Sequence, residues 1–456
     1  MENNWLTKVR DTRTMLRQHV LETILHQMDD EVIGLDLEQK REKYRQMMES
    51  PFRFYRGSAY LFYYDMTKIP FSYHTPEDKS TWIQGDLHFE NFGAFQNEQG
   101  DLIFDVNDFD EGYIGSYLYD VLRMTVSIAL ICETLELSVE DQEKRIHTYI
   151  KSYYKQMKRF NNKKDDPVTL FFSKKNTEGP VRNILKKLEK RKSNQLLEEL
   201  TVINEHKQRS FVYSDEIQPV EHEERSALEQ AWENYIETID TEDRRNQEHY
   251  KIKDVVRKFG SGTASIGLKR YYILVEGGKD EFDDLVLEVK EVRSPIPSYF
   301  LPYHEPFWQK YEHQGERVTT TQKMMHHLED PYLGYMTIDG KYFYVRERSP
   351  YKKKVKTKHV PTIEKLDSTL EIMGEITAKI HARADGDVQR ELLDYHSEKE
   401  IIRAIGDEFE TFCTQVTFIS MTYKKQVIED YALFCKWCTE KLDIHVEKEE
   451  EQLTPQ

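Results

Sequence analysis

Leu16, Val20, Ile24 and Met28 recur at helical spacing inside a densely charged stretch, which predicts helix across residues 1–50 until Ser50-Pro51 interrupts it. The following run, PFRFYRGSAYLFYYDM, gathers aromatics around Arg56-Gly57. TWIQGD and DLIFDV then read as short strands on either side of a loop rich in acids and amides. Residues 117–133 are largely apolar, the mark of a buried helix. From about 140 to 250 the chain is charged and helix-patterned, with a basic stretch at 174–192, and reads as a helical insert or connector. Strand patterning begins at Asp254, where DVVRKFGSGTASIG, LKRYYILVEGG and LVLEVKEV are punctuated by glycines and followed by a helix at 303–328. YLGYMTI and KYFYVRER are joined by Asp339-Gly340, a strong hairpin dipeptide. Helix returns at 361–383, ending in AKIHARADGD, and continues to about 445 before an acidic tail at 446–456 that is expected to fray. The pattern therefore predicts an α+β protein, with a small, mostly antiparallel sheet and a larger, mostly helical part.

At 456 residues the chain exceeds the usual size of one domain, so lobes sharing a cleft are expected. Lys and Arg total 65 against 82 Asp and Glu, a formal charge of -17, which opposes nonspecific attraction to nucleic acid or anionic membranes. Charges near the start stand where a signal peptide needs an apolar core, and the longest apolar run, near Thr125–Cys132, is too short to span a bilayer. A cytoplasmic protein is expected. Of four cysteines only Cys435 and Cys438 are close together, in a helical pattern, so helix packing accounts for them better than redox or zinc chemistry.

The densest chemistry lies at 84–111, QGDLHFENFGAFQNEQGDLIFDVNDFDE. Asp86 is followed five residues on by Asn91, and Asp105, Asp108 and Asp110 crowd the end of the second strand. In phosphoryl-transfer enzymes one aspartate accepts a hydroxyl proton, an asparagine five positions on holds a metal ion, and a second aspartate holds the metal bridging the phosphates. Four close carboxylates also repel unless a cation or a basic group offsets them. Asp110 and Glu111 read equally as a solvated pair, and His88 as a residue that orders the loop. Further on, Gly260-Ser261-Gly262-Thr263 is a glycine turn able to bring backbone N–H groups to phosphates, although Ser265 stands where a third glycine belongs. Lys290 follows on the third strand, the place of a phosphate-pairing lysine. Its helix partner is one of Glu305, Glu312 and Glu316, with Glu316 preferred.

These residues resemble the protein-kinase-like superfamily, in particular the aminoglycoside and choline phosphotransferase branch, whose loop reads G-D-x-H-x-x-N. The resemblance implies Asp86 as catalytic base, Asn91 and Asp108 as metal ligands with Asp105 the runner-up, and Asp120 as a buried helix acid bracing the loop. It also implies ATP with Mg²⁺ or Mn²⁺ as cofactors. GDLHFENFG, FDVNDFDE and YDVLRM, with SPFRFYRG upstream and AKIHAR downstream, are similar to an uncharacterised bacterial group, domain-of-unknown-function family 2252. The order of parts departs from ordinary kinases, because the glycine-rich sheet follows the catalytic loop instead of preceding it. A circular permutation reconciles the two. It implies a two-lobe fold with 1–140 as the catalytic-loop part of the helical lobe, 141–250 as the connector and 251–350 as the nucleotide-binding sheet lobe. Residues 351–445 then return to the helical lobe, and YFYVRER supplies the adenine-binding hinge.

The expected activity is phosphoryl transfer from ATP to an unknown small-molecule or protein hydroxyl. Two other classes stay open: a nucleotide-binding pseudokinase or AMP-transferring enzyme, and a metallophosphoesterase suggested by Asp86-x-His88. The last lacks the Gly-Asn-His-Asp/Glu run such hydrolases need. The chain has no G-x-x-x-x-G-K-[ST], H-E-x-x-H or G-x-S-x-G motif. The basic runs at 174–192 and 352–358 read as solvated faces or as recruiters of an acidic substrate. Nothing in the pattern speaks to oligomeric state.

Overall fold

The computed structural model describes residues 3–192, 194–260, 262–278, 283–328 and 330–445, so Ser261 and the acidic tail at 446–456 lie outside the described residues. The chain forms two compact units. One comprises residues 1–65, 261–267 and the chain from 421 onward, the other residues 66–260 and 268–420.

In the smaller unit the expected N-terminal helix runs Asn3–Leu25 and continues through His26–Val32. Asp36 then starts Leu37–Met47 with a capping box, its Oδ1 accepting from Gln39 N (2.9 Å) while the Gln39 side chain accepts from Asp36 N (3.1 Å). Ser50-Pro51 ends one helix because it begins another: Ser50 Oγ caps Arg53 N (3.2 Å) and Pro51 opens Pro51–Gly57. Tyr44 and Phe54 each pack on Phe434 with ring centroids 5.1 Å apart, which docks these helices on Phe409–Lys441. That helix carries Cys435 and Cys438, both free. The glycine segment at 262–267 packs here too, with Thr263 Oγ1 donating to Gln46 Oε1 (2.7 Å). A Cβ on Gly57 would stand 2.5 Å from Met47 Cγ and 3.0 Å from Thr263 Cγ2, so glycine is what lets these segments meet.

The larger unit is α+β. Its acidic stretch is framed by β1 (Thr81–Ile83), β2 (Phe92–Gln96), β3 (Leu102–Val106) and β4 (Tyr113–Gly115). Then come β5 (Thr201–Ile203), β6 (Arg209–Phe211), β7 (Ile217–Pro219), β8 (Ile252–Lys258), β9 (Arg270–Val275) and β10 (Leu285–Val292). β11 (Gly334–Ile338), β12 (Lys341–Glu347) and β13 (Lys353–Lys354) complete the set. β1 pairs with β4, and β13, β2 and β3 form a three-stranded sheet. The principal sheet is antiparallel with strand order β11-β12-β10-β9-β8-β7. Its β11–β12 hairpin turns at Asp339 (φ 50) and Gly340 (φ 74), the left-handed pair that the dipeptide predicts.

The stretch at 140–250 holds helices Val139–Asn161, Gly179–Leu188, Gln195–Leu200 and His222–Thr238, but also β5, β6 and β7, the last joining the principal sheet. Three-residue strands are too short for a period-two pattern to show. Nor is Val139–Asn161 a mere connector. It packs along Ile363–Arg383, where Gly374 admits the Tyr149 carbonyl: a Cβ there would stand 2.6 Å from that oxygen. The region expected as one helix at 303–328 is two, Glu305–Lys310 and Gln314–Met325.

The principal sheet has two unlike faces. Ile273, Leu287, Val289, Phe343 and Val345 point one way, into an apolar cluster with Leu228, Trp232 and Tyr235 of His222–Thr238. Glu288, Lys290, Tyr344 and Arg346 alternate with them and point the other way. Among the described residues no helix is long and apolar enough to cross a membrane.

Candidate functional site

The turn from Gln84 to Asn91 links β1 to β2, and one face of the buried helix Tyr117–Thr134 holds it. Asp120 accepts from Gln84 N (2.7 Å) and Gly85 N (3.0 Å). Arg123, one turn on, donates from Nε to Asp86 Oδ1 (2.6 Å), and Ser127 Oγ, a further turn on, accepts from Phe89 N (2.8 Å). The spacing i, i+3, i+7 lines all three residues along one side of the helix. His381 of Ile363–Arg383 reaches Asp120 Oδ2 from behind (3.1 Å), with its own Nδ1 3.0 Å from the Tyr153 hydroxyl. Within the turn, Asn91 Nδ2 donates to Asp86 O (2.8 Å), so the amide closes the loop on its acid.

The second acidic segment, 107–111, is stitched to the first. Asn107 N donates to Asn91 O (2.8 Å). The Gln84 side chain spans both segments, its Nε2 donating to Asp108 O (2.5 Å) while its Oε1 accepts from Asp86 N (2.9 Å). Gly85 has φ +86, and a Cβ there would sit 2.0 Å from Glu111 O, so the glycine of the Gly-Asp pair is a packing requirement. Arg317, fully buried on Gln314–Met325, donates to Asp110 O and Gly112 O (both 2.8 Å) and fixes the turn from the sheet side.

Lys290 projects from β10 onto this segment and donates to Asp110 Oδ2, a residue 180 positions earlier in the chain. The other oxygen, Asp110 Oδ1, is buried without a hydrogen-bond partner. Burial works against ionisation of the half-buried Asp108, but Lys290, Lys354, Arg346 and Lys352 outweigh it and hold its carboxyl at about 2. Glu111 goes the other way: burial, with help from Asp86, pushes it up to about 7 against Ile296 N, Arg293 and Arg317. On the same sheet face Glu288 lies 2.6 Å from Arg346 and 3.6 Å from Arg270, and these cations keep it ionised despite burial. Burial and the adjacent Arg346, Arg348 and Lys354 push the Lys352 amine well below its ordinary range, opposed by Glu288. The basic run at 352–358 is thus not wholly a solvated face, since its first lysine is half-buried in the site. A cavity of about 70 Å³ opens beside it, lined in part by Asn107, Phe109, Arg346 and Lys352, with room for a few waters.

The remaining expected residues are placed as follows. Asp105 is sealed in an ion pair with Lys379, and its Oδ1 accepts from Val106 N (2.9 Å). Glu316 lies beside Tyr335 and is raised by burial, whereas Lys290 pairs with the loop acid Asp110. Glu305 and Glu312 are exposed. Gly260 has φ +72 beside Glu216, while Gly262 and Thr263 belong to the smaller unit. Asp110 and Glu111, read above as a solvated pair, are both engaged. The four aspartates at 86, 105, 108 and 110 each face a basic side chain, so their crowding does not by itself require a metal ion.

The family model described as an uncharacterized protein conserved in bacteria (DUF2252) matches residues 37–437, a span that holds the acidic loop and the whole principal sheet. The chain belongs to the DUF2252 family. Neither curated proteins nor solved structures give a match. In this DUF2252 protein the side chains that set up the acids are Gln84, Arg123, Arg317, Arg346 and Lys379, none of which stands out in the sequence as a site residue. Only Arg123 leaves a legible trace: with Asp120 and Ser127 it forms a polar stripe on an otherwise apolar helix.

Proposed function

We propose that this DUF2252 protein is a protein-kinase-like phosphotransferase with its two lobes in permuted chain order. It would use ATP with Mg²⁺ or Mn²⁺ to phosphorylate a small-molecule or protein hydroxyl. The observation that carries the reading is the meeting of Lys290, on β10 of the glycine-punctuated sheet, with the Asp108–Asp110 segment that follows the acid-amide loop. The residues fit a nucleotide's phosphates and a cation. Lys352 is crowded by Arg346, Arg348 and Lys354, a surplus of positive charge that an anion would relieve, and the orphaned Asp110 Oδ1 is a buried acceptor awaiting a partner.

Metal-bound ATP supplies the transferable phosphoryl group. Lys290, Arg346 and Lys352 would pair with phosphate oxygens, and Asp108 with Asn91 would hold the metal. Asp108 suits this role because it stays ionised at any working pH, whereas Asp105 is committed to Lys379. Asp86 orients the acceptor hydroxyl and takes its proton, with Arg123 fixing the carboxylate and Asp120 and Ser127 fixing its loop.

Calorimetry tests this directly. Wild-type protein should bind ATP or ADP in the presence of Mg²⁺ or Mn²⁺, Lys290→Ala should weaken binding roughly a hundredfold, and Asp108→Asn should remove the metal dependence. No nucleotide binding by folded wild-type protein would overturn the proposal. A second reading, nucleotide binding without transfer, draws on the Arg123 contact, because a carboxylate held by a guanidinium is a weaker proton acceptor. ATP turnover abolished by Asp86→Asn, with binding retained, decides for the enzyme; binding without turnover in wild type decides for the second reading.

A further inference from the structure

Away from the acidic loop, the segment between helices Ile363–Arg383 and Ser397–Ile405 folds back on itself, with Gly386 N donating to Tyr395 O (3.1 Å). Its two arms bring Asp385, Asp387, His396 and Glu398 together, one ligand-type atom from each lying within 4.8 Å of the others. Asp385 is fixed by the backbone of both arms, accepting from Asp387 N (2.9 Å) and Ser397 N (2.5 Å). Glu398 is 5 % exposed, and its Oε2 is buried without a hydrogen-bond partner. His396 Nδ1 is also buried and outside hydrogen-bond geometry, although 3.1 Å from Asp387 Oδ1.

This cluster differs from the acidic loop in one decisive respect. There every aspartate faces a lysine or arginine, whereas here, among the described residues, no lysine or arginine forms an ion pair with Asp385, Asp387 or Glu398. Three carboxylates this close repel one another, and a buried carboxylate oxygen left unsatisfied carries the full penalty of its desolvation. One imidazole with several carboxylate oxygens is a mixed donor set that suits Zn²⁺ or Mn²⁺ better than the all-oxygen shells of Ca²⁺ and Mg²⁺. Access exists as well: Asp387, His396 and Glu398 line a cavity of about 490 Å³ shared with Lys163, Lys164 and Asp165, with space for water ligands.

We infer that Asp385, Asp387, His396 and Glu398 form a binding site for one divalent transition-metal ion, independent of the acidic loop. The ion ties the end of Ile363–Arg383 to the start of Ser397–Ile405. Because Lys379 and His381 on the first of these helices hold Asp105 and Asp120, the site anchors the helix that braces the loop.

The test is to strip the full-length protein of metal and titrate it with Mn²⁺, read by electron paramagnetic resonance, and with Zn²⁺, read by calorimetry and thermal unfolding. Wild type and Asp108→Asn should both bind one ion at this site, and Zn²⁺ should raise Tm in both. His396→Ala and Asp387→Asn change partly or fully exposed residues and should keep the fold, checked by circular dichroism, while weakening binding roughly tenfold or more. Absence of stoichiometric binding in wild type overturns the inference. So does binding that is unchanged in both His396→Ala and Asp387→Asn, or binding that is lost only in Asp108→Asn.

Discussion

Strand β10 carries two chemistries on alternate residues. Leu287 and Val289 face the apolar cluster under His222–Thr238, while Glu288 and Lys290 face Arg346, Asp110 and Asp108, and all four are buried. On the first face each side chain removed from water stabilises the fold by about 1.5–3 kcal/mol. On the second, desolvating ions offsets most of what their attraction returns, so a buried ion pair is often no better than an apolar pair of the same volume. Equal burial in one strand thus has unequal worth. The difference teaches where to look for function: the apolar face explains why the sheet exists, and the charged face, poorly explained by stability, is the one set against the acidic loop.

The strongest way to separate the faces is Trp232→Ala. It empties the apolar side and breaks the indole hydrogen bond to Tyr250 O (2.8 Å), and it should cost about 3–5 kcal/mol by urea unfolding. The protein that remains folded should bind nucleotide as before; a matching loss of affinity would dissolve the distinction. Next in size, Glu288→Ala strands Arg346 and Arg270 and should cost about 3 kcal/mol. Replacing Glu288 and its nearer partner together, Glu288→Met with Arg346→Leu, should recover most of that loss, leaving only the half-buried Arg270 unpaired, yet still weaken nucleotide binding. A double variant as unstable as the single would make the charged face a structural device.

What could be read in the sequence was local. Alternation marks β9, β10 and β12, Asp339-Gly340 marks its hairpin, and the acid-amide loop announces itself because Gly85, Asp86 and Asn91 fall within one turn. Partnership was not legible. Lys379 meets Asp105 across 274 residues and Lys290 meets Asp110 across 180, pairings set by how helices and strands pack and not by spacing along the chain. Chain order favours Glu316 for Lys290 because a helix acid follows the strand, whereas in the fold Lys290 pairs with a loop acid from far upstream. Gly57 shows the same limit on a smaller scale, since its reason lies in Met47 and Thr263, neither of them adjacent to it in the chain.

The smallest expected effect sharpens the comparison at the edge of the charged face. Its cations hold Asp108 at about 2, but burial leaves Glu111, three residues on, at about 7 against an ordinary value of 4.5. Between those two values the folded state keeps a proton that the unfolded chain has released. The resulting stability is therefore complete below about 4.5, falls as pH rises toward 7, and is flat above it. Asp108 has the opposite sign, contributing above its unfolded value and failing only as pH drops toward 2, so it is silent in this window. Glu111→Gln retains an oxygen to accept from Ile296 N and removes the titration. The unfolding free energy of wild type minus that of Glu111→Gln should fall by about 2 kcal/mol from pH 4.5 to 7.5, after discounting for partial solvent contact. Asp385 and Glu347, both raised to about 8, titrate in both proteins and cancel in that difference. A difference that stays level with pH would mean that the charged face extends its hold to Glu111 as it does to Asp108.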